Sequence, residues 1–218
     1  MSKTKFLSDF ADAAEDRAEA KGLLEGLCTT QGITSRVYAA DRVVGHILLA
    51  DYDEGWSDKH IRRDTESRPG INLLFESSPG SLHYWNLTVE TPAQKALKML
   101  SMAVDPSHIQ MGWRRKEHPS QNGPYWVLRI SEKTNRNNQN PARAEGKYKT
   151  RPELMKVWFN PCDKPQSRPH WDFARKWWDI PEPEMADVYE WEGSEIDTST
   201  YATFTDDAKA VLRGDDDG

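Results

Sequence analysis

Two stretches of this chain place titratable side chains where they could act together. In HILLADYDEG an apolar run leads into Asp51, Tyr52 and Asp53. Residues i and i+2 of a strand project from one face, about 7 Å apart, so two carboxylates held this way can converge on divalent cations. Magnesium takes oxygen ligands, with one or two carboxylates completed by substrate phosphates, and that suits nucleotidyl transfer. In FESSPGSLHYWNL a Ser-Pro-Gly turn feeds a strand carrying Ser81 and, two residues on, His83. The amides of such a turn, a hydroxyl and an imidazole can together hold a triphosphate. Each stretch alone also has a plainer reading. Aspartates are common where strands become turns, and a hairpin histidine can be part of the packing. A zinc set of Cys162, His170, His108 and His118 fits no standard ligand spacing.

The elements that must position these groups are legible as alternating strand and helix signals. Residues 34–40 and 44–52 alternate β-forming side chains, which sets Asp51 and Asp53 at a strand end. The loop DEGWS follows, then a polar segment of helical character over Asp58–Thr65. Strand signals return at 70–75, break at SSPG and resume over 81–89, a hairpin that carries the second motif. Thr91 as cap and Pro92 in the first turn begin a helix over 91–103. Residues 107–113 and 125–131 read as two further strands around the polar loop KEHPSQNGP, and 155–159 as another. Residues 170–178, HWDFARKWW, read as a short aromatic helix. Ahead of these, Phe6, Phe10, Ala13, Ala14, Ala20, Leu23, Leu24 and Leu27 recur at helical spacing. The chain thus divides into an N-terminal helical segment (1–33), a core (34–160), and an aromatic helix with an acidic surface tail (161–218). The expected class is α+β, a mainly antiparallel sheet with flanking helices.

An apolar strand ending in Asp-x-Asp, followed 30 residues later by the histidine of Ser-Pro-Gly-x-x-His on a second strand, resembles the archaeo-eukaryotic primase superfamily. The likeness is to its primase–polymerase and plasmid replication primase branches and spans about residues 35–135. The resemblance implies a DNA primase or primase–polymerase with an RRM-like catalytic sheet. It implies that Asp51 and Asp53 bind two ions, Mg2+ or Mn2+, that Ser81 and His83 contact the incoming nucleoside triphosphate, and that the substrate is a single-stranded DNA template. The family's third acidic residue matches Asp105 in VDPSHIQMGWRR, with Glu76 as the alternative. The strand YWVLRISEKTN would place Arg129 and Lys133 against phosphates. Two features depart from the family pattern: Ser131-Glu132 stands where Pro-Gly is usual, and KEHPSQNGP is inserted between Asp105 and Arg129.

Composition narrows the alternatives. The 218 residues carry 29 basic and 35 acidic side chains, for a net charge of −6. At 37% hydrophobic the chain is too apolar for wholesale disorder. No apolar run approaches the roughly 20 residues of a spanning helix, so no membrane partner is expected. Cys28 and Cys162 cannot build a disulfide framework, and the first residues are acidic where an export signal is apolar; both point to the cytoplasm. Charge is strongly segregated, +7 over residues 106–151 against −11 over 179–218. Arg114, Arg115, Arg143, Lys147 and Lys149 in the basic stretch are candidates for the DNA backbone, or else a solvated loop. Trp85, Trp113 and Trp126 are expected in the core. Trp171, Trp177 and Trp178 could stack template bases, but packing on the sheet is the favoured reading.

Two other functional classes compete with the enzyme. A catalytically silent nucleic-acid-binding module would keep the fold and the basic loop but has no need of Asp51, Asp53 and His83 together. A rolling-circle replication nuclease needs a histidine pair on one strand and a nucleophilic tyrosine, whereas His83 is followed by Tyr84-Trp85. No GxxxxGK[ST] occurs, so an ATPase motor would come from another chain, a helicase or accessory replication protein.

Overall fold

The computed structural model describes residues 28–40, 42–53, 56–115, 123–131, 151–182 and 190–203. The helical spacing expected over residues 5–27 lies outside them. Nine strands and four helices follow in the order β1 (Cys28–Ala39), β2 (Arg42–Tyr52), α1 (Asp58–Thr65), β3 (Gly70–Ser78), β4 (Ser81–Glu90), α2 (Pro92–Leu100), α3 (Pro106–Arg114), β5 (Val127–Arg129), β6 (Glu153–Asn160), β7 (Gln166–Ser167), α4 (Arg168–Trp178), β8 (Trp191–Glu192) and β9 (Glu195–Thr203). The main path of the sheet runs β5-β1-β2-β4-β3-β6, with β9 on the other edge of β1. Only β7 with β8 is a parallel pairing among these strands. The class is therefore α+β around a mainly antiparallel open sheet.

Cross-strand partners share a face, which sorts the side chains of the central strands. Asp51, His83 and Phe75 are in register on one face, as are Leu49, Trp85 and Leu73. The aromatic helix α4 covers part of that face: Trp178 packs against Phe75 and Trp85, and Trp171 meets Phe159 edge-on. Trp171 and Trp178 thus follow the packing reading over base stacking. The opposite face carries Tyr52, Leu82 and Glu76 in register. Helices α1 and α2 pack there, with the Tyr52 hydroxyl donating to Asp64 at 3.4 Å and Lys95 Nζ donating to the Thr88 carbonyl at 2.6 Å. Helix α2 starts as its residues require, on a Thr91–Gln94 capping box with Pro92 in the first turn.

Two expectations are corrected. Residues 106–114 form a helix, not a strand. Asp105 caps it by accepting from the Ser107 amide at 2.9 Å, and Pro106 occupies the first turn. Trp113, expected in the core with that strand, is 36% exposed on this helix. The stretch 195–203, read as part of an acidic surface tail, is a strand that pairs with β1 over most of its length.

The sheet forks beside the candidate residues. β2 and β5 share one edge of β1, since Arg36–Ala39 pair with β2 and Gly32–Thr34 pair with β5. Ser35 stands at the branch point, fully buried, with its hydroxyl accepting from the Trp126 amide at 3.1 Å and 3.0 Å from His46 Nδ1. Past His46, β2 continues to Tyr52 without β1 beside it. Helix α3 bridges the two prongs. The Asp105 amide donates to the Asp51 carbonyl of β2 at 2.8 Å, and the Tyr125 amide, leading into β5, donates to the Gly112 carbonyl at 3.2 Å.

Gly112 is required by this close approach, because a Cβ there would stand 2.2 Å from the Trp126 indole nitrogen. Gly112→Ala should therefore destabilise the protein, although alanine is the better helix former by about 1 kcal/mol. Overpacking of this kind costs about 1–3 kcal/mol, since fully buried Trp126 has no room to withdraw. Thermal or urea unfolding of the variant tests the sign; a more stable variant would mean that α3 can move off Trp126.

Candidate functional site

Asp51 and His83 are direct cross-strand partners, as alternation along β2 and β4 requires. The His83 Nε2 atom is 3.7 Å from Asp51 Oδ1, with the imidazole side chain 7% exposed and the carboxylate 26%. Burial pulls the His83 pKa down to about 3, and the Arg129 guanidinium and His108 push the same way. The imidazole is neutral at pH 7, so the pair is not a salt bridge. A protonated His83 supplying charge to a triphosphate, which an exposed histidine could provide, does not fit this burial. The fixed cation in reach is Arg129, whose guanidinium donates to the Ser77 carbonyl near the end of β3 and to the Ser131 carbonyl.

Asp105 arrives from the other side of β2, its amide bound to the carbonyl of Asp51. Three residues on, His108 Nε2 donates to the Leu49 carbonyl at 2.9 Å. His108 is itself held neutral by burial, its pKa lowered to about 4. Asp53 falls one residue past the end of β2 and is exposed, so the strand ladder positions Asp51 alone. Ser81 lies two residues before His83 on β4, buried, with its carbonyl accepting from the Ser77 hydroxyl at 3.3 Å. Glu76 pairs with Leu82 and so lies on the face opposite to Asp51 and His83.

Two residues that the motifs do not contain tie the site together. Trp56, in the DEGWS loop, donates its indole N–H to the Gly80 carbonyl at 3.1 Å, joining the loop after Asp53 to the SSPG turn. His108, singled out in the sequence only as a zinc candidate, instead holds α3 to β2. Its spacing of three from Asp105, one helical turn, was the available signal once the helix is recognised.

The basic candidates divide. Arg114 is exposed in the last turn of α3. Arg115 is engaged by the fold, donating to the Tyr125 carbonyl at 2.9 Å with its guanidinium over the Tyr125 ring. Lys133, Arg143, Lys147 and Lys149 lie outside the described residues, as does His118. Of the other zinc candidates, His170 bonds the Ser167 hydroxyl and the Thr34 carbonyl, and Cys162 accepts from the Lys164 amide.

Among the described residues no three His, Cys, Asp or Glu side chains are grouped closely enough to hold a metal ion by themselves. Asp51 and Asp105 nonetheless offer the all-oxygen chemistry that a hard cation takes. Magnesium bound through one or two carboxylates with the rest of its shell from phosphate and water needs no three-residue cage. The donor set fits an ion that arrives with a triphosphate. Among the described residues no helix is long and apolar enough to cross a membrane. Comparison with known proteins finds no matching family model, no matching curated protein and no matching solved structure.

Proposed function

We propose that this chain is a metal-dependent nucleotidyltransferase of the primase–polymerase type, using nucleoside triphosphates on a single-stranded DNA template within an RRM-like catalytic sheet. The observation that carries the reading is the pairing of Asp51 with His83 across β2 and β4, with the Asp105 amide on the Asp51 carbonyl and the Arg129 guanidinium near His83. In this reading Asp51 and Asp105 hold Mg2+ or Mn2+, with exposed Asp53 completing the set in the substrate complex. Glu76 drops out as third ligand because it faces the wrong way. Bound ions would stabilise the attacking and leaving oxygens as pyrophosphate departs. Arg129 supplies a fixed positive charge for the β- and γ-phosphates, and Lys133, outside the described residues, is the candidate for a second. His83, neutral and buried, acts as a hydrogen-bonding group towards the triphosphate, together with Ser81 and the turn amides. Arg114 is the described candidate for contact with the template backbone, and Arg143, Lys147 and Lys149, outside the described residues, are the other basic groups to test.

The test is incubation of the protein with single-stranded DNA, labelled ribo- or deoxynucleoside triphosphates and Mg2+ or Mn2+. Oligonucleotide products that require the divalent ion are expected. DNA binding without any incorporation would favour the silent nucleic-acid-binding module and overturn the enzyme reading.

A further inference from the structure

We propose that His108 is a positioning residue for the site, setting the orientation of α3, and with it of its capping carboxylate Asp105, relative to the end of β2 that carries Asp51. This rests on the reading of Asp51 and Asp105 as the ion-holding carboxylates. Where β2 has parted from β1, its carbonyls on that edge lie inside the protein and require donors. Two of them, Leu49 and Asp51, receive these from α3, through His108 Nε2 at 2.9 Å and the Asp105 amide at 2.8 Å. The acceptors are two residues apart on one strand, about 7 Å, and the donors are one turn apart on one helix. A single hydrogen bond is a pivot, whereas two spaced along the strand fix the direction of the helix.

The direction matters because Asp105 is the cap of α3. Its carboxylate accepts from the Ser107 amide at 2.9 Å, so its orientation follows the helix axis. The far end of α3 is already locked by Gly112 against Trp126 and by the Tyr125 amide. At the near end the hydrogen bonds to β2 are those of Asp105 and His108, while the Ala103 amide on Asp64 and the buried side chains of Val104 and Ile109 hold the turn to the core. Without the imidazole, the first turn keeps one of its two hydrogen bonds to β2 and the capping carboxylate gains freedom to turn, while the buried Val104 and Ile109 preserve the fold. A neutral imidazole protonated on Nε2 suffices for this work, and His108 touches no reacting atom.

The experiment compares His108→Ala with His108→Gln, whose amide nitrogen can occupy the place of Nε2. Mn2+ affinity is read by electron paramagnetic resonance, nucleotide incorporation as separate kcat and KM, and folding as Tm. The expected result for His108→Ala is Mn2+ affinity and kcat lower by about 10- to 100-fold, the usual scale for groups that orient metal ligands. KM for the nucleotide and DNA affinity should stay near wild type, and His108→Gln should restore most of the loss. Unchanged Mn2+ affinity in His108→Ala would overturn the inference, and so would equal losses in both variants tracking Tm. Wild-type protein that binds no Mn2+ would overturn inference and function together. Wild type that binds Mn2+ but never incorporates nucleotides would sink the polymerase reading alone, with the Mn2+ comparison still deciding His108. Should His108→Ala fail to fold, His108→Asn, with a shorter reach, replaces it.

Discussion

Asp51→Asn and Asp105→Asn are each expected to lower divalent-ion-dependent nucleotide incorporation about a thousandfold. Stabilisation of transition-state charge by bound metal is worth several kcal/mol, and about 4 kcal/mol corresponds to three orders of magnitude in rate. Asparagine is the informative replacement at both positions. At 105 it keeps the cap of α3, since Asn and Asp serve equally well there, and it removes only the charge. At 51 it keeps the size of a side chain that stands at a strand end beside an imidazole that is neutral, so no ion pair with His83 is lost. Tm should therefore move by only a few degrees, and affinity for single-stranded DNA should hold or rise as negative charge is removed. Glu76→Gln, on the opposite face, serves as the control and should retain incorporation. Full incorporation in Asp51→Asn or Asp105→Asn would remove that carboxylate from the ion site. Loss in Glu76→Gln equal to theirs would mean the rates report folding.

The parts of this site that lie on regular strands were legible because alternation is a local property. HILLADYD and SLHYWNL each specify a strand, and the positions of Asp51 and His83 on one face follow from the period of two. That they are direct partners required only that β2 and β4 pair antiparallel in the observed register. Glu76 could not be excluded from the sequence, because which face it shares depends on the β3–β4 register and on the shift between Glu76 and Ser78.

Helix α3 differs from its sequence pattern for a physical reason. In residues 107–113 the apolar side chains Ile109, Met111 and Trp113 alternate as in a strand, while the helix is declared by Asp105 and Pro106 just outside that window. The contacts that hold it are also invisible to pattern. They run to backbone carbonyls of β2, which every residue possesses, and to an indole that tolerates only glycine opposite it. The fork at Ser35 has the same character. Nothing in TSRVYAA marks the point where β1 exchanges one neighbour for another, because the signal is a single small buried hydroxyl that bonds both prongs. The acidic composition of residues 179–218 likewise concealed β9, whose pairing with β1 is made by backbone groups indifferent to side-chain charge.

Acidification from pH 7.5 to 5.5, in buffer without divalent ions, is expected to destabilise the protein by about 4 kcal/mol. Three histidines carry most of the change: His46, His83 and His108, with pKa values of about 4, about 3 and about 4 in the folded protein, while Lys95, pulled down by burial to about 7, adds a smaller loss of the same sign. Burial is the leading cause in each, joined by the positive charge of Arg36 at His46, of Arg129 at His83 and of Arg115 at His108. All three are neutral in the folded chain at pH 5.5, whereas in the unfolded chain they protonate near 6.5. The unfolded state therefore binds more protons below pH 6.5, and stability is lost as pH falls from 6.5 towards the folded values. One unit below 6.5, each contributes about 1.4 kcal/mol of loss. Glu90, whose carboxyl is held to about 2 by Lys95, Lys164 and Lys98 against the opposing effect of burial, does not contribute in this window. Its loss begins as pH falls into the ordinary carboxyl range, below this window. For a chain of this size the change corresponds to a fall in Tm of about 10 °C. His108→Gln, which cannot titrate but can keep the bond to Leu49, should remove about one third of the pH-dependent loss. A wild-type Tm that stays level between pH 7.5 and 5.5 would mean that these imidazoles accept protons within the fold. In that case the neutral His83 beside Asp51 would have to be abandoned.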